Sequence, residues 1–180
     1  YKIRGSVILN KGLIHVYTGK GNGKTTAAIG LGLRATGAGM KVCMIQFMKK
    51  RKYSELVAID KVENFSYYQY GRDKFVNKDK PDQIDIDFAK QGLQKAKEII
   101  KSGKYDLLIL DEINVAVDYK LIKLDDVLDL IENKPDSLEI VLTGRSAHPE
   151  IVKIADYVSE ILEIKHPYKK GIKGRKGIEY

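Results

Sequence analysis

The chain has 180 residues, 43% of them hydrophobic, with one cysteine and a formal net charge of +8. That length suits one domain, residues 1–180, around one core. The lone cysteine excludes an internal disulfide, and no apolar run reaches the ~18 residues a membrane helix needs, so a cytoplasmic protein without membrane contact is expected.

Residues 1–11 mix charged and apolar groups, lack a signal-peptide core and read as an N-terminal extension. The first predicted strand is Leu13 to Tyr17. A glycine-rich loop follows, then a helix from Lys24 to Thr36 that Gly37 and Gly39 end. Val42 to Phe47 reads as a second strand and holds Cys43, a small core residue. The tyrosine-rich run Phe65 to Tyr70 is a third. Phe88, Ala89, Leu93, Ala96 and Ile100 then recur at helical spacing. Leu107 to Leu110 is wholly apolar, as a strand buried on both faces must be. Leu124, Val127, Leu128 and Ile131 line one face of a further helix. Glu139 to Thr143 is a strand, Ile151, Ile154, Ala155 and Val158 mark the last main helix, and Glu160 to Ile164 reads as a final strand. A basic tail, residues 165–180, closes the chain. Such alternation predicts an α/β fold, a mostly parallel sheet inside a three-layer sandwich.

Positive charge gathers in Lys49-Lys50-Arg51-Lys52 and between Lys165 and Lys176. This suits an anionic partner, a nucleic acid or a polyanionic small molecule. The loop Thr18-Gly19-Lys20-Gly21-Asn22-Gly23-Lys24-Thr25-Thr26 favours a phosphate chain. Glycines let backbone N–H groups close around phosphate oxygens, and the following helix N-terminus adds partial positive charge. Lys24 is placed to reach the terminal phosphates and the Thr25 hydroxyl to ligate magnesium. The usual motif starts with glycine five residues before the Gly-Lys pair, whereas this chain has Thr18 there. Asp111 and Glu112 follow the buried strand directly, where a carboxylate holds magnesium directly or through water. Arg145, after the strand ending at Thr143, stands at the carboxyl end of a sheet strand, where ligands bind in open α/β folds, and is a candidate phosphate clamp.

ATP binding alone leaves many functions open. The stretch Gly12 to Gly19, the loop through Ala28, and Val42 to Lys49 with Gln46-Phe47 resemble the ATP:corrinoid adenosyltransferases. So do Leu110-Asp111-Glu112, Val141 to Arg145, His148-Pro149-Glu150, and the ending from Lys165-His166-Pro167-Tyr168 to Gly177-Ile178-Glu179-Tyr180. The resemblance runs in one register from Gly12 to Tyr180.

It implies a P-loop, RecA-like fold and transfer of the 5′-deoxyadenosyl group of ATP to the cobalt of a reduced corrinoid, with inorganic triphosphate leaving whole. It further implies that the phosphate chain lies reversed relative to ordinary P-loop enzymes. By position, residues 18–26 and Arg145 bind ATP, Thr25 and Glu112 hold magnesium with Asp111 reaching it through water, and Lys24 and Arg145 stabilise charge. No side-chain nucleophile is implied, because Co(I) belongs to the substrate. The resemblance also implies a homodimer, an electron-donating reductase or flavoprotein as partner, no nucleic acid, and an apolar wall below the corrin ring. Many relatives carry Phe-x-Trp there. Here Phe75 matches the phenylalanine, and Asn77 stands in place of the tryptophan. The rival readings are a RecA-like ATPase acting on nucleic acid or protein, with Glu112 positioning water, and a nucleotide-binding switch without chemistry.

Overall fold

The computed structural model describes residues 9–179. Residues 1–8, most of the expected extension, and Tyr180 at the end of the tail lie outside the described residues. Six strands form one sheet: β1 (Ile14–Thr18), β2 (Val42–Phe47), β3 (Phe65–Tyr70), β4 (Leu107–Asp111), β5 (Glu139–Thr143) and β6 (Tyr157–Glu160). Their order is β3-β2-β4-β5-β1-β6, and every pairing is parallel. The helices are α1 (Lys24–Gly37), α2 (Ser54–Ile59), α3 (Gln83–Ser102), α4 (Ile113–Asp118), α5 (Leu124–Glu132) and α6 (Pro149–Ile154), with a 3-10 turn at Pro167–Lys170.

Strand alternation divides the core between the two faces of the sheet. Cys43, Ile45 and Phe47 of β2 join Leu108 and Leu110 of β4 on one face, under Ala89, Leu93 and Ala96 of α3 and Ile113 and Ala116 of α4. Val42 and Met44 join Leu107 and Ile109 on the other, under Ala28 and Ala35 of α1 and Leu56 and Ile59 of α2. With both faces covered, β2 and β4 are buried along their whole length. This is the expected three-layer α/β sandwich, with a sheet that is parallel throughout.

The chain departs from the sequence reading near its end. The helix expected to carry Ile151 through Val158 stops at Ile154, and the strand expected at Glu160 to Ile164 lies earlier, at Tyr157–Glu160. Asp156 is the cause. Its N–H donates to the Ile14 carbonyl at 2.9 Å, and its carboxylate accepts the Ile14 N–H at 2.8 Å. That double bond docks the chain on the free edge of β1 and breaks the helical register, so Val158 pairs with Val16. The short helices α2 and α4 had no sequence signal of their own, being only 6 residues each.

Candidate nucleotide site

In a parallel sheet the loops leaving the carboxyl ends of the strands share one rim. Here β5 lies between β1, which leads into the glycine loop, and β4, which ends on Asp111. Residues after β1, β2, β4 and β5 therefore meet around one cavity of about 700 Å³. Its wall takes Lys20 to Thr26 from the loop and α1, Lys49 after β2, Glu112 after β4 and Arg145 after β5.

Two glycines shape the loop for different reasons. Gly23 has φ 112, a conformation that side chains disfavour, and a Cβ there would meet nothing within 4 Å. Its need is conformational, and the space above it stays open for a ligand. At Gly21 a Cβ would lie 2.7 Å from the Ile161 and Leu162 carbonyl oxygens. The chain after β6 presses on the loop there, and the Gly21 N–H donates to the Ile161 carbonyl at 2.7 Å. Thr18 and Gly19 stand behind the cavity wall. The Thr18 hydroxyl accepts the Ala147 N–H at 3.2 Å, and a Cβ on Gly19 would strike the Ile161 carbonyl.

Asp111 anchors the acidic side. It is fully buried and accepts four hydrogen bonds: from Thr25 Oγ1 (2.8 Å), Thr143 Oγ1 (2.7 Å), Lys49 Nζ (2.8 Å) and Gln46 Nε2 (3.1 Å). Burial alone raises a carboxyl pKa, but the Lys49 charge and these bonds prevail and hold Asp111 below the ordinary carboxylate value. Burial likewise opposes the Lys49 ammonium, and Asp111 and Glu112 more than offset it, so the Lys49 pKa rises. The pair is ionised, and Asp111 ties the loop, β2, β4 and β5 together. With four donors already on its two oxygens, it fixes the residues around the cavity rather than facing it, and the expectation that it reaches a metal through water is not supported by this arrangement.

Glu112 faces the cavity. Its Oε1 is 3.9 Å from Lys49 Nζ, and its N–H donates to Thr143 Oγ1 at 3.0 Å. Burial raises its pKa, against the pull of Lys49. Its backbone has φ 66, and Met48 (φ 60) and Ser146 (φ 55) share the left-handed conformation. These three residues terminate or follow neighbouring strands β2, β4 and β5. Each turns the chain sharply beside a cavity residue, and such strained backbone concentrates at functional sites. Lys24 is 8% exposed, and its Nζ donates to the Gly21 carbonyl at 2.6 Å. Burial lowers its pKa, Glu112 opposes that, and Arg145 adds to it.

Oxygen donors and clustered cations suit a polyphosphate with a hard divalent ion. Among the described residues no group of three or more His, Cys, Asp or Glu side chains could enclose a metal by itself.

The structure also brings together residues that the sequence reading did not assign to the site. Lys49, Tyr53, Glu55 and His166 are on the wall, as are Gly174, Gly177, Ile178 and Glu179 of the tail. Lys49 had been one member of a basic run, and nothing in that run marked it out from Lys50. Phe75 is not on this wall. It stands fully exposed in the segment between β3 and α3, at 104% of its reference area.

A family model described as ATP:corrinoid adenosyltransferase BtuR/CobO/CobP matches residues 10–180. The chain belongs to that family. A corrinoid adenosyltransferase of a Sinorhizobium species is 36% identical, with 99% of this chain and 85% of the relative aligned. The Pseudomonas aeruginosa corrinoid adenosyltransferase is 35% identical over 94% of this chain and 84% of its own length. The Salmonella typhimurium corrinoid adenosyltransferase CobA is 32% identical over 94% of this chain and 86% of its own. As an adenosyltransferase family member, the chain keeps its matched region through both the glycine loop and the tail that meets it at the cavity.

Proposed function

We propose that this protein is an ATP:corrinoid adenosyltransferase, a single domain that moves the 5′-deoxyadenosyl group of ATP to the Co(I) of a corrinoid and releases triphosphate. The observation that carries this reading is the tail. It lines the cavity beside the glycine loop, and the family match runs through it, whereas a RecA-like ATPase gives it no role.

In the reaction the cobalt electron pair forms a bond to C5′ as the C5′–O bond breaks. That bonding pair leaves with the triphosphate. No proton moves, which agrees with a site that needs no general base. The protein's task is to orient C5′ and offset charge growing on the leaving group. Backbone amides of the loop, Lys24, Lys49 and Arg145 are suited to that task. Thr25 and Glu112 would hold Mg2+, with Asp111 fixing Thr25. Bound there, the ion supplies further charge neutralisation. The test is to incubate the protein with ATP, Mg2+ and chemically reduced cobalamin, follow the visible spectrum and identify the phosphate product. Alkylated cobalamin with one triphosphate per turnover supports the proposal. Orthophosphate without alkylation replaces it with the ATPase.

Two substitutions probe the metal. Glu112→Gln and Thr25→Ala are expected to raise the magnesium needed for half-maximal rate by about tenfold or more, with a smaller change in apparent ATP affinity. A titration of rate against magnesium reads both. Unchanged curves in the two variants place the metal elsewhere.

Phe75 is assigned to the wall below the corrin ring, where an apolar side chain excludes the lower axial ligand and eases reduction of Co(II). Its full exposure supports a role in contacts outside the fold and makes Phe75→Ala harmless to the core. The variant is expected to retain its melting temperature and its rate with Co(I) supplied directly. With Co(II) and a mild reductant it should slow by roughly 30- to 150-fold, the equivalent of one aromatic burial of ~2–3 kcal/mol. Equal losses in both assays assign Phe75 to general substrate binding.

The same reading includes a cytoplasmic homodimer served by a reductase or flavoprotein. No described helix is long and apolar enough to cross a membrane. Exposed Tyr157, Leu162 and Ile164, along and beyond β6, favour a second copy.

A further inference from the structure

The cavity has two chemically distinct walls. Lys20, Lys24, Lys49 and Arg145 make one strongly cationic. The tail makes another, with Ile178 and the carboxylate of Glu179. A carboxylate is out of place against a triphosphate, since both only accept hydrogen bonds and both are negative. It fits the part of a nucleotide that carries donors.

Three carboxylates line the cavity, those of Glu55, Glu112 and Glu179, and two have cationic neighbours within it. Glu112 and Glu55 both act electrostatically on Lys49. Glu179 is set apart: the charge acting on it is that of Arg175. Glu179 Oε2 accepts the Arg175 N–H at 2.7 Å and Nε–H at 3.2 Å, and Oε1 accepts Nη2–H at 2.8 Å. These bonds, the side-chain ones first, pull the Glu179 pKa down to about 2 and keep it ionised. A carboxylate offers about four acceptor positions. Arg175 fills three of them, leaving Oε1 with room for another donor. The side chain is thus fixed, charged and one partner short.

We infer that Glu179 accepts a hydrogen bond from a ribose hydroxyl of the bound nucleotide, so that the tail reads the sugar while the glycine loop holds the phosphates. The inference rests on the reading of this cavity as the ATP site. Arg175 is the positioning residue, acting through Glu179. The segment after β6 that leads into the tail is tied to the loop by the bond from the Gly21 N–H to the Ile161 carbonyl, which helps keep the two halves of the site in register.

The test is calorimetric titration of the full chain in the presence of Mg2+. The titrants are ATP, 2′-deoxy-ATP, 3′-deoxy-ATP, inosine triphosphate and inorganic triphosphate. Glu179→Ala should weaken ATP by about tenfold to a hundredfold, the range for a charge-assisted hydrogen bond. The deoxy analogue lacking the recognised hydroxyl should bind wild type and variant alike, and triphosphate should be unaffected. Arg175→Met, which frees the carboxylate without removing it, should fall between. Discrimination lost only against inosine triphosphate would assign Glu179 to the base amino group and overturn the inference. Parallel losses for ATP and triphosphate would make the tail a structural support, also overturning it. If wild type bound neither ATP nor triphosphate, or Lys24→Ala bound them as well as wild type, the ATP reading itself would fail, which the other outcomes leave standing.

Discussion

Lys24→Ala is expected to lose ATP and triphosphate binding and to lower kcat/KM by 10²- to 10³-fold or more, the scale for removing one positioned charge-stabilising donor. Without ligand, the same variant should be at least as stable as wild type. The direction of the pKa shift sets this stability. Lys24 is buried, and burial lowers its pKa. A lysine whose folded pKa lies below its unfolded value costs stability while protonated in both states. That cost is full below the folded pKa and disappears as pH rises through the unfolded one. At neutral pH, alanine removes it. The side chain's hydrogen bond to the Gly21 carbonyl is worth only ~1 kcal/mol in return. Thermal unfolding with and without ATP checks both halves. Wild type should gain stability with ATP, and the variant should not. A variant that unfolds well below wild type without ligand would make Lys24 a structural residue first.

Asp111→Ala should act in the opposite sense, on the fold as much as on the chemistry. It leaves Lys49 with Glu112 at 3.9 Å as its remaining carboxylate partner, and it strips an acceptor from Thr25, Thr143 and Gln46. Breaking one side of a buried ion pair costs ~3–5 kcal/mol, a large part of the stability of an ordinary domain. Chemical denaturation should show a lower midpoint. Asp111→Asn combined with Lys49→Met should recover part of the loss, because no charge is then left without its partner. Turnover should stay low in the double variant, since Thr25 and Lys49 have both lost their setting. If Asp111→Ala retains wild-type stability, the pair is relaxed by water and does not tie the strands together.

The layers and the glycine loop could be read from residue order alone. Val42–Phe47 and Glu139–Thr143 were legible to the residue, because a strand covered on both faces must be apolar almost throughout and has to be interrupted by polar turns. Phe65–Tyr70, a partly exposed edge strand, was legible from its run of aromatic residues instead. Glycines at 19, 21 and 23 before Lys24 were equally plain, although the reason for Gly19 and Gly21, the Ile161 backbone pressed against them, was not. The order of residues after Leu110 likewise marked Asp111 and Glu112 as the acidic side of the site.

How those two acids divide their work follows from strand packing. Adjacent in sequence, they differ because β4 buries Asp111 between β2 and β5, while the left-handed backbone at Glu112 turns the next side chain to the cavity. The same holds for Lys49, which is one lysine in a run until the pairing of β2 with β4 sets it on Asp111. It holds for the chain end, where Asp156 bonding to Ile14 overrides a helical spacing that was locally sound. The place of the segment after β6 against the loop is of this kind too, since Gly21 and Ile161 are 140 positions apart and no local pattern records their bond. Periodicity and turn chemistry act between near neighbours along the chain. Electrostatic partnership and strand pairing act between neighbours in space, and these became definite only once the sheet had closed.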